Sequence, residues 1–351
     1  MDMVTLGADL HKRWHTVVAV DPTGRKLAER TVRANPDGHL ELRRWAAQWP
    51  DRRWALEDCR HLSRRLEADL LRAGEAVVRV PPKLMAGVRR SVREPGKSDP
   101  IDALAVARAA LANPDLPVAT LDGPERELRL LVDHRDDLVA ERTRDVARLR
   151  WHLLDLGIEE PPARSLDRVR VQADLALRLA AAPGITGRLA RVLLARIRES
   201  SAAIRALEVE IGELAAALAP TLLALPGCGP LTAAKIVGEA AGIGRFRSKE
   251  AFARHTGTAP VPVWSGNVTR HRLSRGGNRQ LNLALHRIAI TQMRIDARGR
   301  AYIDRRRAAG DTKTEAIRAF RRRISDEVFR RLRADEIARA EAMTALTAAA
   351  A

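Results

Sequence analysis

Cysteine is almost missing from this chain: Cys59 and Cys228 are the two thiols in 351 residues. They build no disulfide framework and show no zinc-ligand spacing, which suits a reducing cytoplasm. No uncharged apolar run approaches membrane-spanning length and no signal peptide is read, so neither a membrane nor a secreted role is expected. No internal repeat is visible. Lysine is scarce too, 7 of the 62 basic residues against 55 arginines. Arginine suits bidentate phosphate contacts, but an Arg- and Ala-rich composition also follows from a GC-rich genome. The choice of arginine therefore says less than the charge.

That charge is large. The formal net charge is +18 and the pI near 11.2, so the first partner to expect is a polyanion, and nucleic acid above others. Residues 245–287 hold nine Arg and Lys against the single acid Glu250, and residues 297–333 hold thirteen against five. The polyanion surface is expected mainly in the C-terminal third. With 46% hydrophobic residues the chain has ample material for buried cores, enough for two or three domains.

The first 116 residues alternate strand and helix signals. "MVTLGADLH", "HTVVAVD" and "KLAERTVRA" read as three opening strands, then a helix within 37–48, a strand "RRWALEDC", a helix over roughly 61–73 and a strand "EAVVRV". A helix from Asp99 closes this α/β domain, whose pattern resembles the ribonuclease-H-like architecture. Residues 117–220 read as a helical, partly coiled-coil region. Val132, Val139, Val146 and Leu153 recur every seven residues, while Arg135 and Arg142 interrupt the companion positions. A dimer contact and packing within the chain are both open. From 221 to 340 a mainly helical domain is expected, followed by an Ala-rich tail over 341–351. It begins with "LPGCGPLTAAKIVGEAAG", a helix-hairpin-helix pattern in which Gly227 and Gly229 let backbone amides approach a phosphate. Plain helix packing would use the same glycines.

Within "GKSDPIDALAVAR" (96–108), Asp99 and Asp102 stand three apart at a helix start. Such acids cap a helix and suit its dipole; they also project from one side, where two carboxylates share a divalent cation. Asp9 interrupts an apolar strand, and Glu57 ends the fourth strand with Asp58 as its rival. Asp21 and Asp37 read as turn and cap residues. Strand ends and adjacent helix starts form the ligand crevice of open α/β sheets. Four acids gathered there repel one another unless cations neutralise them.

Three short stretches, "GADLHK" (7–12), "ALEDC" (55–59) and "KSDPIDA" (97–103), together resemble the DEDD tetrad of the insertion-sequence-110 family of transposases. The resemblance implies a Holliday-junction-resolvase-like N-terminal domain, a coiled-coil insertion and a C-terminal transposase domain. It further implies that Asp9, Glu57, Asp99 and Asp102 bind two catalytic magnesium ions. "GTAPVPVWSGNVTRHRLSRGGNRQLNLAL" (257–285) extends the match through Ser265-Gly266 and then Arg272, Ser274, Gly277 and Asn278. By resemblance Ser265 is the nucleophile that links to DNA. By chemistry alone a turn serine is the ordinary reading, and Ser274 is the rival. Arg275 stands where the family has lysine, and Asn282 where arginine often follows leucine.

The family also implies donor and target DNA, a bridge RNA that pairs with both, and a homodimer assembling to a tetramer. Expected nucleic-acid contacts are Lys12, Gly227, Gly229, Lys235, Arg270, Arg272, Arg275, Asn278, Arg279, Arg321, Arg322 and Arg323. Trp151 and Trp264 are candidates for base stacking, although tryptophan is more often core. A metal-dependent junction nuclease would use the four acids without Ser265, and a non-enzymatic binding protein would need neither.

Overall fold

The structure, a computed structural model, describes residues 3–82, 84, 85, 98–116, 118–162, 164–265, 268–272 and 276–350. Of Arg60, Trp264, Ser265, residues 268–272 and 349–350 it describes the backbone alone. The chain divides into two compact units, and neither is one continuous segment. Residues 1–123 and 242–278 make the first; residues 124–241 and 279–351 make the second.

In the first unit β1 (Val4–Leu10), β2 (Trp14–Val20) and β3 (Lys26–Arg33) form an antiparallel meander. Asp21 shapes the turn between the last two, accepting from the backbone amides of Thr23 and Arg25. β4 (Arg52–Glu57) and β5 (Val77–Val80) then run parallel to β1, giving the order β3-β2-β1-β4-β5. This is the sheet of a ribonuclease-H-like domain.

Both sheet faces are covered, so β1 and β2 are buried almost throughout rather than alternating. On one face Leu6, Ala8, Val17, Ala19, Trp54 and Leu56 join Leu42 of α1 (Pro36–Ala46) and Leu66 and Leu70 of α2 (Arg60–Arg72) in a core. Asn35, not Asp37, caps α1, its side chain accepting from the Gly38 amide. The other face carries α3 (Asp99–Ala112), whose Ala103 and Ala107 pack with Val18 and Val20, and whose Val106, Ala109 and Ala110 pack with Ala55 and Val80.

The returning segment of this unit supplies α9 (Lys249–His255; helices are numbered in chain order, those between following below) and a hairpin, β6 (Val261–Ser265) with β7 (Val268–Arg272). Arg247 and Arg254 both pair with Asp115. The Asn278 amide donates to the His255 carbonyl at 2.6 Å.

The second unit is helical. α4 (Pro124–Asp155) and α6 (Gly184–Leu218) pack along each other, with α5 (Val169–Ala180) closing a core of Leu149, Leu153, Leu175, Leu179, Leu194 and Ile197. Each such leucine stabilises the fold by roughly 1.5–3 kcal/mol. Val132 and Leu153 of the seven-residue stripe are buried here, and Val146 packs against the core. The arginines that interrupt the stripe are answered from α6: Arg135 donates to Glu208 and Arg142 to Ser201. A single helical turn, α7 (Pro220–Leu223), precedes the glycine turn and α8 (Pro230–Ala240). α10 (Arg279–Ile295), α11 (Ala297–Ala308) and α12 (Lys313–Ala350) complete the unit. Among the described residues no helix is long and apolar enough to cross a membrane.

Candidate metal centre and nucleic-acid interface

Side chains alternate across a strand, and this decides which acids meet. Thr5, Gly7 and Asp9 share the β1 face that α3 covers. On β4 the equivalent residues are Arg53, Ala55 and Glu57, since Gly7 lies opposite Ala55 and Ala8 opposite Leu56. One step beyond the last paired residues, Ala8 and Leu56, Asp9 and Glu57 both carry the parity of that face. The rival, Asp58, falls past the end of β4 and off its parity.

α3 brings the other two acids. Its N-cap is Ser98, which makes no side-chain capping bond, and its first residue is Asp99. The Asp99 carboxylate turns instead toward His11, whose Nε2 stands 3.4 Å from Asp99 Oδ1 and 3.1 Å from Asp9 Oδ2. Asp102, one turn along, is 6% exposed. Gly7 permits this approach. A Cβ there would stand 2.6 Å from the Ala107 Cβ and closer still to the Ala103 carbonyl and the Ala107 nitrogen.

The electrostatics match the crowding. Asp9 is 4% exposed. Burial pushes its carboxyl above the usual carboxylate range; His11 opposes this, and Asp102 and Asp99 reinforce it. The Cys59 thiol is pushed up to about 11, first by burial and then by Glu57, with Asp58 and Asp9 adding to the effect. One ligand atom each from Asp9, His11 and Asp99 lies within 4.8 Å of the others. Carboxylate oxygens are the donors that hard divalent cations take. These residues therefore fit a cation, and a buried, like-charged Asp9 gains from one.

His11 is the residue that the sequence reading missed. Its signal was its place two residues after Asp9 in "ADLH", where strand parity returns to the same face. With a proton on Nε2 it ties the two carboxylates; with that nitrogen free it is a third ligand atom.

The other expected residues fall in varied places. Ser265 is the last residue of β6, opposite Val268, and belongs to the same compact unit as the four acids. Its side chain, like those of Trp264, Arg270 and Arg272, lies outside the described ones, and Ser274 and Arg275 lie outside the described residues. Lys12 and Arg279 are exposed and Asn278 is half-buried.

Gly227 is left-handed (φ +81°), and a Cβ there would stand 3.1 Å from the Ile288 carbonyl oxygen. It serves packing against α10. Gly229 has open space around it and stands at the N-cap of α8. Lys235 is ion-paired with Asp136 at 2.8 Å and Asp133 at 3.3 Å. Arg321 donates to Asn282 at 2.8 Å, and Arg322 pairs with Asp326. Of that arginine run Arg323 alone is exposed. Trp151 is not core: it is 72% exposed.

Comparison with known proteins covers most of the chain. A family model of DEDD-type IS110 transposases matches residues 6–158, and one described as "Transposase IS116/IS110/IS902 family" matches residues 219–304. An insertion element IS116 44.8 kDa protein of Streptomyces clavuligerus is 30% identical, covering 95% of each chain. An insertion element IS900 42 kDa protein of Mycobacterium paratuberculosis is 28% identical, covering 94% of this chain and 96% of its own. Among solved structures, T. thermophilus RuvC in complex with a Holliday junction substrate matches with a TM-score of 0.25 and 18% identity, covering 32% of this chain and 95% of that one.

Proposed function

The chain belongs to the IS116/IS110/IS902 family of transposases and is an enzyme acting on DNA; from that premise we propose that it excises and integrates an insertion sequence by metal-dependent strand transfer through Ser265. The observation that supports the metal half is the meeting of Asp9, His11 and Asp99, with ligand atoms within 4.8 Å of one another; Asp102 lies one turn along α3, and Glu57 carries the same face's parity on β4. The four acids would hold two magnesium ions. Bound there, the ions supply positive charge to the attacking and leaving oxygens of a phosphate.

The chain's own groups do the rest. Asp9, buried and fixed in β1, sets the site; His11 orients its carboxylate; Asp99 and Asp102 are aimed by α3. The Ser265 hydroxyl attacks the scissile phosphorus. A serine–phosphate bond forms, the phosphorus–oxygen bond to the departing strand breaks, and the departing oxygen takes up the proton that the hydroxyl gives up. The ester conserves the broken bond for rejoining, which hydrolysis would discard. Common membership of Ser265 and the acids in one compact unit supports this reading.

Choice of donor and target DNA falls to a bridge RNA, whose backbone the basic surface suits. Handling two DNA ends at once fits a homodimer assembling to a tetramer, in the cytoplasm. Asp102→Asn should fold but cut no labelled DNA in magnesium; full cleavage by this variant removes the acidic site. Ser265→Ala should bind nucleic acid yet form no covalent adduct on denaturing electrophoresis. Recombination by that variant, or an adduct mapped to Ser274, removes Ser265. Sequencing RNA that co-purifies with the protein tests the guide.

A further inference from the structure

The sheet face that α3 covers extends beyond it. On β2 the residues of that face are Trp14, Thr16, Val18 and Val20, and on β3 they include Thr31 and Arg33, by the registers Thr16↔Thr31 and Trp14↔Arg33. α3 buries Val18 and Val20. Toward the acid end the face opens: Thr16 bonds Thr31 at 3.0 Å, and Trp14 is 47% exposed. Asp9 lies opposite Thr16, so Trp14 is its diagonal neighbour, roughly 7–8 Å away by the usual spacing of such pairs. The Arg33 guanidinium lies 5.6 Å from the Trp14 ring centre. Lys12 and Arg13, in the turn that joins Asp9 to Trp14, are both exposed.

A lone exposed tryptophan is unremarkable on a protein surface. Here the ring stands diagonal to Asp9, on its face of the sheet, with arginine against it and two further cations in the adjoining turn. An acidic centre repels a polyanion, so a strand that reaches it needs fixed positive charge and a sequence-tolerant grip at its edge. Aromatic stacking supplies that grip, because every base has a π-face. We propose that Trp14, held by Arg33, is a base-stacking platform for an unpaired nucleotide of the DNA strand being cut, with Lys12, Arg13 and Arg33 on its phosphates. Trp14 is thus a positioning residue of the cleavage centre, and this rests on reading the acids as that centre.

The test uses the full chain and a short single-stranded deoxyoligonucleotide carrying one 2-aminopurine, without divalent metal so that nothing is cut. The intact protein should quench the probe. Trp14→Ala and Trp14→Leu should lose the quenching and bind roughly ten-fold or more weakly, with Trp14→Phe retaining most of both. Arg33→Ala should lower the slope of log affinity against log salt by about 0.7, one single-strand phosphate. Circular dichroism and melting should match the parent, since Trp14 is no part of the core. In magnesium the Trp14→Ala loss should appear in KM far more than in kcat. Unchanged quenching and affinity in a folded Trp14→Ala overturns the proposal, as does a loss seen only with the ribonucleotide version of the probe. Failure of the acidic site would appear separately, as cleavage by Asp102→Asn, and leaves the quenching result to stand or fall alone.

Discussion

Gly7 and Ala107 leave no room between β1 and α3: a carbon added to Gly7 would stand 2.6 Å from the Ala107 Cβ. The neighbours on the helix side are backbone as well as methyl, so neither partner can turn aside. Gly7→Ala must therefore lift α3, which carries Asp99 and Asp102. Overpacking of this kind costs about 1–3 kcal/mol. The expected outcome is a lower melting temperature together with a disproportionate loss of DNA cleavage. A variant that melts lower but cuts normally would separate the helix position from the chemistry.

The basic residues will not contribute equally to nucleic-acid binding. Arg321 and Arg322 are engaged by Asn282 and Asp326, whereas Arg298, Arg307 and Arg323 face solvent. A solvent-facing cation that meets a phosphate releases a counterion; one already paired releases little. Neutralising Arg298, Arg307 and Arg323 should lower the slope of log affinity against log salt by about 0.9 for each duplex phosphate lost. Arg322→Gln should leave that slope unchanged. Titrations over a salt series compare the two.

Lys235 illustrates the same distinction in stability. Its ammonium sits between Asp133 and Asp136 and is mostly covered. Lys235→Ala is expected to lower stability by about 1 kcal/mol, the upper end for exposed pairs, and to leave DNA affinity alone. Denaturant unfolding and binding titrations on one preparation decide it.

His15 gives the fold a pH dependence of known sign. It is buried, its ring stacks on His39 at 5.4 Å, and its Nδ1 has no partner. Burial first, and His39 second, bring its pKa down from 6.5 to about 4. Below pH 6.5 the unfolded chain takes a proton that the folded one refuses, so stability falls with pH until about 4 and then levels. The fall across that window is about 3 kcal/mol, and above it His15 has no effect. His15→Phe should remove that part of the slope, read from unfolding midpoints across the window. Parallel curves for parent and variant would refute the assignment.

Asp335 on α12 is buried and accepts from the backbone amides of Thr221 at 3.0 Å and Leu222 at 3.3 Å. It caps the single-turn α7 from far along the chain. Asp335→Ala should cost about 0.5–2 kcal/mol, with Asp335→Asn recovering most of it, in thermal or denaturant melts.

Much of the first unit was legible because its signals are local. Apolar runs bounded by Gly24, Gly74 and Pro81 marked the strands and helices within a residue or two. Asp9 stood out as a carboxylate inside such a run. The choice of Glu57 over Asp58 came from the resemblance of "ALEDC" and not from local spacing, because physically it depends on the register of β4 against β1. His11 was hidden for the same reason: parity matters only once the strand's ends are known. Asp99 suits a cap by residue type, but Ser98 holds that position and Asp99 is the first helical residue. The β6–β7 hairpin had a readable mark, Gly266-Asn267 between segments that hold β-branched residues, inside a stretch whose strongest local signal is positive charge. Partners such as Asn282 for Arg321, or Asp133 for Lys235, arise from packing between distant helices and leave no trace in local spacing.

The first unit is interrupted at residue 123 and resumed at 242. During synthesis the ribosome releases Asp9, Glu57, Asp99 and Asp102 early, and the resuming segment with Ser265 only after the whole of α4 to α8 has emerged. Bringing that segment home closes a long loop, a slow kind of contact to form. A nascent chain thus holds its acids before it holds its serine, and the unit that begins first cannot be complete until the second is well under way.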